Sequence, residues 1–226
     1  MYAFMRWVMR TATRTYLAGG LFSVRGAELV PRTGALLVCP NHVSTIDPPL
    51  VPAVLPRADT WSMGKSEYFD KGFVRWVFTN YHAFPVVRHS ADRAALRRAL
   101  QVLAAGQALI VYPEGTRVES GGLRAGEPGA GFIAQRSGAP VLPVALIGTR
   151  ECFPKGARWP RRTPVEVVFG KPFRIGERRA DGSRIGRDDA ADAIMLSIAE
   201  LLPPESRGVY SDLKALRARV GALRER

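Results

Sequence analysis

A chain of 226 residues, 46% hydrophobic and 23% charged, has the material for one well-buried domain, which excludes a largely disordered protein. Its 33 Lys and Arg against 20 Asp and Glu leave a formal net charge of +13, a surface suited to polyanions such as nucleic acid, anionic headgroups or acidic carriers. Two cysteines exclude a disulfide scaffold, three histidines without an HExxH exclude the usual zinc sites, and no apolar run reaches the roughly 18 residues that span a bilayer.

The opening "MYAFMRWVMRTATRTYLAGG" is predicted as an amphipathic helix over 1–20, followed by a single domain over 21–226. At helical spacing Met1, Met5, Val8, Met9, Ala12 and Tyr16 share one stripe, Arg6, Arg10 and Arg14 lie opposite, and Gly19-Gly20 stops the helix. Such a helix either packs onto the domain or lies in a membrane interface with its arginines near the phosphates. Phe4 and Trp7 widen the apolar surface in favour of the interface.

Strands are expected at "LFSVRG" and "ALLVCP", then a helix at "DPPLVPAVL" with Asp47 as N-cap and Pro48 at its first position. "DTWSMG" reads as a weak strand, "KGFVRWVFTNY" as a short helix, and "HAFPVVR" as extended chain. "SADRAALRRALQVLAAG" is the clearest helix: Ser90 caps it, Ala95, Leu96, Ala99, Leu100 and Leu103 form its apolar stripe, and Gly106 ends it. "ALIVYP" is a buried strand, "GAGFIAQRSG" a helix, and "APVLPVALIG" and "TPVEVVFGKPF" are strands. Helices over roughly 187–202 and 209–225 close the chain. The alternation predicts an α/β fold, a single mixed sheet flanked by helices, with the amphipathic N-terminal helix and the C-terminal helices added to it.

The sequence has no GxSxG elbow and no Walker-type phosphate loop. Polar residues gather instead just past the apolar runs, where α/β sheets bind ligands. In "VCPNHVSTIDPPL", His42 stands five positions before Asp47. Taken alone, His42 is either an ordinary polar residue at a strand end or a general base whose ring Asp47 holds. Arg88 follows "FPVV", and Glu114 and Arg117 follow "ALIV". Arginine forks suit phosphate oxygens, so a base beside two arginines fits activation of a hydroxyl on a phosphorylated acceptor.

Read together, these stretches resemble a known family. "NHVSTID" matches the NHxxxxD signature of glycerolipid acyltransferases of the 1-acylglycerol-3-phosphate O-acyltransferase type. "FPVVR", "YPEGTR" and "APVLPVAL" are similar to that family's second, third and fourth blocks, and the four occur in order between roughly residues 22 and 150. The resemblance implies a direct transfer without an acyl-enzyme: His42, held by Asp47, takes the proton of the acceptor hydroxyl as that oxygen attacks a thioester. It further implies that Arg88 and Arg117 hold the acceptor phosphate, while Glu114, Gly115 and Thr116 shape the pocket. No metal or cofactor is called for.

The implied donor is acyl-CoA or acyl carrier protein. The implied acceptor is a lysophospholipid, foremost 1-acyl-sn-glycerol-3-phosphate, converted to phosphatidate. The implied setting is peripheral, on the anionic cytoplasmic face of the cell membrane. A different lysolipid acceptor is the alternative within the class. Outside it stands a basic nucleic-acid-binding protein, against which the arginines are scattered and no aromatic-rich RNA motif is present, so no specific nucleic acid is expected. One departure from the family pattern is Glu127, which stands where a lysine is usual; either Arg124 replaces the charge or the acceptor is less anionic.

Overall fold

The run "LLVCP" offers no polar face to water, and it becomes the middle strand of the sheet. A computed structural model describes residues 1–87, 92–119 and 121–225. Seven strands, β1 (Phe22–Arg25), β2 (Leu36–Pro40), β3 (Thr60–Lys65), β4 (Ala83–Val86), β5 (Ala108–Ile110), β6 (Val141–Ile147) and β7 (Val165–Phe169), lie in the order β1-β7-β6-β2-β5-β3-β4. Neighbours are parallel except β6 and β7, so β1 and β7 run against the other five. All five residues of β2 are buried, as a parallel strand covered on both faces requires.

Alternation divides β2 between two cores. Leu37 and Cys39 face a cluster built with α4 (Arg93–Ala104), α5 (Pro128–Ser137), α7 (Arg187–Ala199) and α8 (Leu213–Val220). Leu36 and Val38 face a second cluster under α2 (Asp47–Val54), which includes Leu50, Val51 and Leu142. Each such aliphatic side chain, fully buried, contributes about 1.5–3 kcal/mol, so the two faces outweigh any single surface ion pair. A one-turn helix α6 (Thr149–Cys152) follows β6, and the short strands β8 (Arg174–Ile175) and β9 (Arg224–Glu225) pair apart from the main sheet.

The mixed sheet flanked by helices is the architecture read from the sequence, with local differences. The N-terminal helix, α1, covers Tyr2–Tyr16 and carries its faces differently from the expected stripe. Arg6 does not point to solvent: its guanidinium donates to the carbonyls of Pro52 and Leu55 at the end of α2. Those carbonyls lack helical partners, and a cation there satisfies them. Tyr2 is buried, whereas Phe4, Trp7 and Val8 are exposed. α2 begins at Asp47 itself rather than after it, because the Asp47 carboxylate turns back toward residues 42–44 instead of capping.

The expected weak strand at 59–64 is the six-residue β3, held between two neighbours. Ser90 lies outside the described residues; the cap on α4 is Asp92, whose carboxylate accepts from the backbone N–H of Ala95. The C-terminal helices end earlier than expected, at Ala199 and Val220. "KGFVRWVFTNY" forms α3 (Gly72–Asn80).

Candidate active site

β2 is the fourth of seven strands, and its carboxyl end opens between β5 and β6. The residue after it, Asn41, continues the pairing with its side chain: Nδ2 donates to the Leu146 carbonyl at 3.1 Å and Oδ1 accepts from the Leu146 N–H at 2.7 Å. This mimic of a strand rung fixes the backbone that leads into His42.

His42 and Asp47 meet. Nδ1 of the histidine lies 2.9 Å from Oδ2 of the aspartate, with both side chains buried. Asp47 Oδ2 also accepts from the N–H groups of Val43 at 2.8 Å and Ser44 at 2.7 Å, so one oxygen organises the whole turn. The His42 ring lies against the Tyr112 ring, centroids 4.2 Å apart and tilted by 32°. An imidazole held on one nitrogen and along one face presents its other nitrogen, Nε2, in a set direction.

Glu114 approaches from the end of β5 and accepts from the backbone rather than reaching outward. Oε1 takes the His42 N–H and Oε2 the Arg124 N–H, each at 2.9 Å. Burial pushes its carboxyl up to about 7, against the opposing pull of those two N–H groups and of the Arg124 and Arg150 charges. The turn that carries it closes with Gly115 N–H donating to the Tyr112 carbonyl, Pro113 second and Gly115 last. Gly115 has φ of +68°, and a Cβ there would fall 2.8 Å from Cγ of Glu127. Glu127 therefore backs this turn directly, and its N–H donates to the Pro113 carbonyl.

Arg117 lines a cleft of about 290 Å³ with Val43, Ser44, Thr45, Arg150 and Lys155. Arg150 is fixed by donating to the carbonyls of Gly121 at 2.9 Å and Val118 at 3.0 Å, and Val118 in turn donates its N–H to the His42 carbonyl at 2.8 Å. Val43 and Arg150 also line a neighbouring cleft of about 370 Å³ beside Gly148 and Leu123. Lys155 is paired with Glu119 at 2.7 Å, which leaves the two arginines as the cleft's main cations. The cleft's lining begins at Val43, the residue after His42 in the chain, and it also includes Glu119.

The structure thus joins His42, Asp47 and Glu114 through hydrogen bonds and sets Gly115, Thr116 and Arg117 on the adjoining turn. Arg88 lies outside the described residues. Sequence reading missed Asn41, Tyr112 and Arg150 as parts of the site. The first two sit inside quoted motifs and were open to notice, whereas Arg150 carries no local signal. Cys39, two residues before Asn41, is buried in the core, where burial drives its thiol far above the ordinary value, so it is no competing nucleophile.

A sequence model of the Acyltransferase family matches residues 21–147. A 1-acyl-sn-glycerol-3-phosphate acyltransferase of Cocos nucifera is 26% identical over 165 residues, covering 72% of this chain and 53% of that protein. One from Borreliella burgdorferi is 29% identical over 142 residues, covering 62% and 56%. The chain thus spans about half the length of these curated relatives. The crystal structure of the 1-acyl-sn-glycerophosphate (LPA) acyltransferase PlsC from Thermotoga maritima is similar at a TM-score of 0.66 and 27% identity, over 88% of this chain and 79% of that one. The family match takes in β1 through β6 and every residue of the His42–Asp47–Glu114 cluster, and on that ground this chain belongs to the Acyltransferase family.

Proposed function

We propose that the protein is an O-acyltransferase that moves a fatty acyl group from a thioester donor to the free hydroxyl of a lysophospholipid, foremost 1-acyl-sn-glycerol-3-phosphate, giving phosphatidate. The observation that carries the reading is the buried His42 Nδ1–Asp47 Oδ2 contact of 2.9 Å at the carboxyl end of the central strand. With Nδ1–H donated to Asp47, Nε2 accepts the acceptor's hydroxyl proton while its oxygen attacks the thioester carbonyl. The tetrahedral intermediate collapses by breaking the carbon–sulfur bond, and the thiolate leaves with the proton returned from the imidazolium. Asp47 stabilises the imidazolium in between.

The acceptor phosphate sits in the cleft of Arg117 and Arg150, beside the Val43–Thr45 backbone. Arg150 supplies the charge that the family lysine would bring at position 127, and Arg88 belongs to the same phosphate-binding set. Gly115 and Thr116 shape the pocket wall. The donor, acyl-CoA or acyl carrier protein, is itself polyanionic and meets a chain of net charge +13. The reaction runs at the cytoplasmic face of the cell membrane, with the protein bound peripherally to anionic lipid. Among the described residues no helix is long and apolar enough to cross a membrane.

The test is mass spectrometry of products from purified protein, acyl-CoA and a panel of lysolipids. Phosphatidate formed from lysophosphatidate is the expected product. Fatty acid released at the same rate without any acceptor would make the protein a thioesterase instead.

A further inference from the structure

α1 and α3 share a pattern that neither the catalytic cluster nor the core uses. Each carries two aromatic residues three positions apart, and that spacing puts them on one helical face. On α1, Phe4 and Trp7 are both 61% exposed and their rings stack with centroids 6.2 Å apart. On α3, Phe73 is 76% and Trp76 47% exposed, stacked at 6.0 Å. α1 meets the chain just past the end of α3: Tyr2, on the inward side of α1, stacks on His82 at 4.1 Å and meets Tyr81 edge-on at 5.8 Å. Burying an aromatic side chain removes about 150–250 Å² from water, so two such pairs left open are a large unused contribution.

Charge indicates what covers them. Lys71, just before α3, and Arg75, on the side of α3 away from Phe73, are exposed, as are Arg10 and Arg14 on α1. The acids nearest α3, Glu67 and Asp70, precede the helix, and Glu67 is paired with Lys65 at 2.7 Å. Helices with an exposed aromatic pair on one face and exposed cations on the polar side match the boundary of an anionic bilayer, where rings sit at headgroup depth and cations meet phosphates. The nine residues of α3 extend about 14 Å, enough to lie in that boundary and too short for the roughly 30 Å hydrocarbon core.

We propose that α3 is a second lipid-contact element, acting beside α1, with Phe73 and Trp76 entering the interface and Lys71 and Arg75 on the headgroups. The inference rests on the reading that the protein works at a membrane surface, and it adds where the surface is met. α3 leads directly into β4, so lipid contact at α3 brings the start of that strand to the layer from which a lysolipid acceptor comes.

The test uses the full chain and vesicles of phosphatidylcholine with phosphatidylglycerol, with pure phosphatidylcholine as control. Phe73→Ser/Trp76→Ser is expected to weaken co-sedimentation at least about tenfold while α1 is intact. In a Trp7→Phe/Trp159→Phe background, brominated lipid is expected to quench emission, and the added change Trp76→Phe to abolish that quenching. Turnover of dispersed lysophosphatidate without vesicles should match wild type in the serine variant, so loss of lipid contact and failure of the acyltransferase reading give separate results. Unchanged vesicle binding and quenching would overturn the proposal. So would a serine variant that binds vesicles normally but turns a dimer into a monomer in sedimentation velocity, since the face would then belong to a second copy.

Discussion

Asp47 Oδ2 accepts from three donors, and that crowding separates two substitutions that look alike on paper. His42→Ala leaves the Val43 and Ser44 N–H groups satisfied, so the melting temperature should stay near wild type while turnover falls about 10²- to 10⁴-fold. Asp47→Asn turns one acceptor position into a donor beside buried N–H groups, so it should lose activity and also about 1–3 kcal/mol of stability. Product assays with thermal melts on both variants check this; wild-type turnover in a folded His42→Ala protein would remove His42 from the mechanism. Glu114 gives a pH signature. Its folded value of about 7 lies above the ordinary 4.5, so the folded chain holds a proton that the unfolded chain has released between those limits. That contribution is complete below 4.5 and is lost as pH rises through about 7, a change of about 3 kcal/mol. Urea midpoints of wild type should fall across this window relative to Glu114→Gln, which does not titrate. Parallel curves for the two proteins would show that the carboxyl is not proton-linked to folding.

At the level of elements, α5 and α7 approach through Gly131, where a Cβ would stand 2.4 Å from the Arg187 carbonyl oxygen and 2.8 Å from the Ala191 nitrogen. Backbone cannot yield as a flexible side chain can, so Gly131→Ala should cost about 1–3 kcal/mol. Two residues earlier in α5, Gly129 has open space around its Cβ position, and Gly129→Ala should stabilise the helix by about 0.5–1 kcal/mol. Thermal unfolding of the pair should therefore move in opposite directions. Elements such as α4 and α5 were legible because their apolar spacing is local. The faces of α1 were not: two apolar strips lie on that helix, and only packing decides that Tyr2 and Arg6 turn inward and Trp7 outward. The cap on α4 was misread for a related reason, since Ser90 and Asp92 are both good caps and the pull of Asp92 on the Val87 N–H is a tertiary matter.

Across the whole molecule, the division between what the sequence disclosed and what it hid follows chain distance. His42, Asp47 and the "PEGT" turn were readable because each motif is contiguous, and the alternation of strands and helices announced an α/β sheet. Strand order was not readable, nor the reversal of β1 and β7, because hydrophobic runs do not state their neighbours. Arg150 was hidden for the same reason: it reaches the site only through β6, about 30 residues beyond the carbonyls it grips. The excess of positive charge is also less uniform than composition implies. Around α7, α8 and β9, Arg219 pairs with Asp189 and Asp192, and Arg217 and Arg224 pair with Glu200, which leaves the unspent cations to other faces, α1 and α3 among them.

The rung that Asn41 makes with Leu146 joins residues 105 apart in the chain. A ribosome delivers β2 and the His42 turn long before it delivers β6, so the turn's own bonds to Asp47 can form before the rung that ties it to β6. Closing so long a loop is among the slower events in folding. The rung is therefore set late: a partly synthesised chain can carry the entire His42–Asp47 motif before the strand that ties it to the sheet exists.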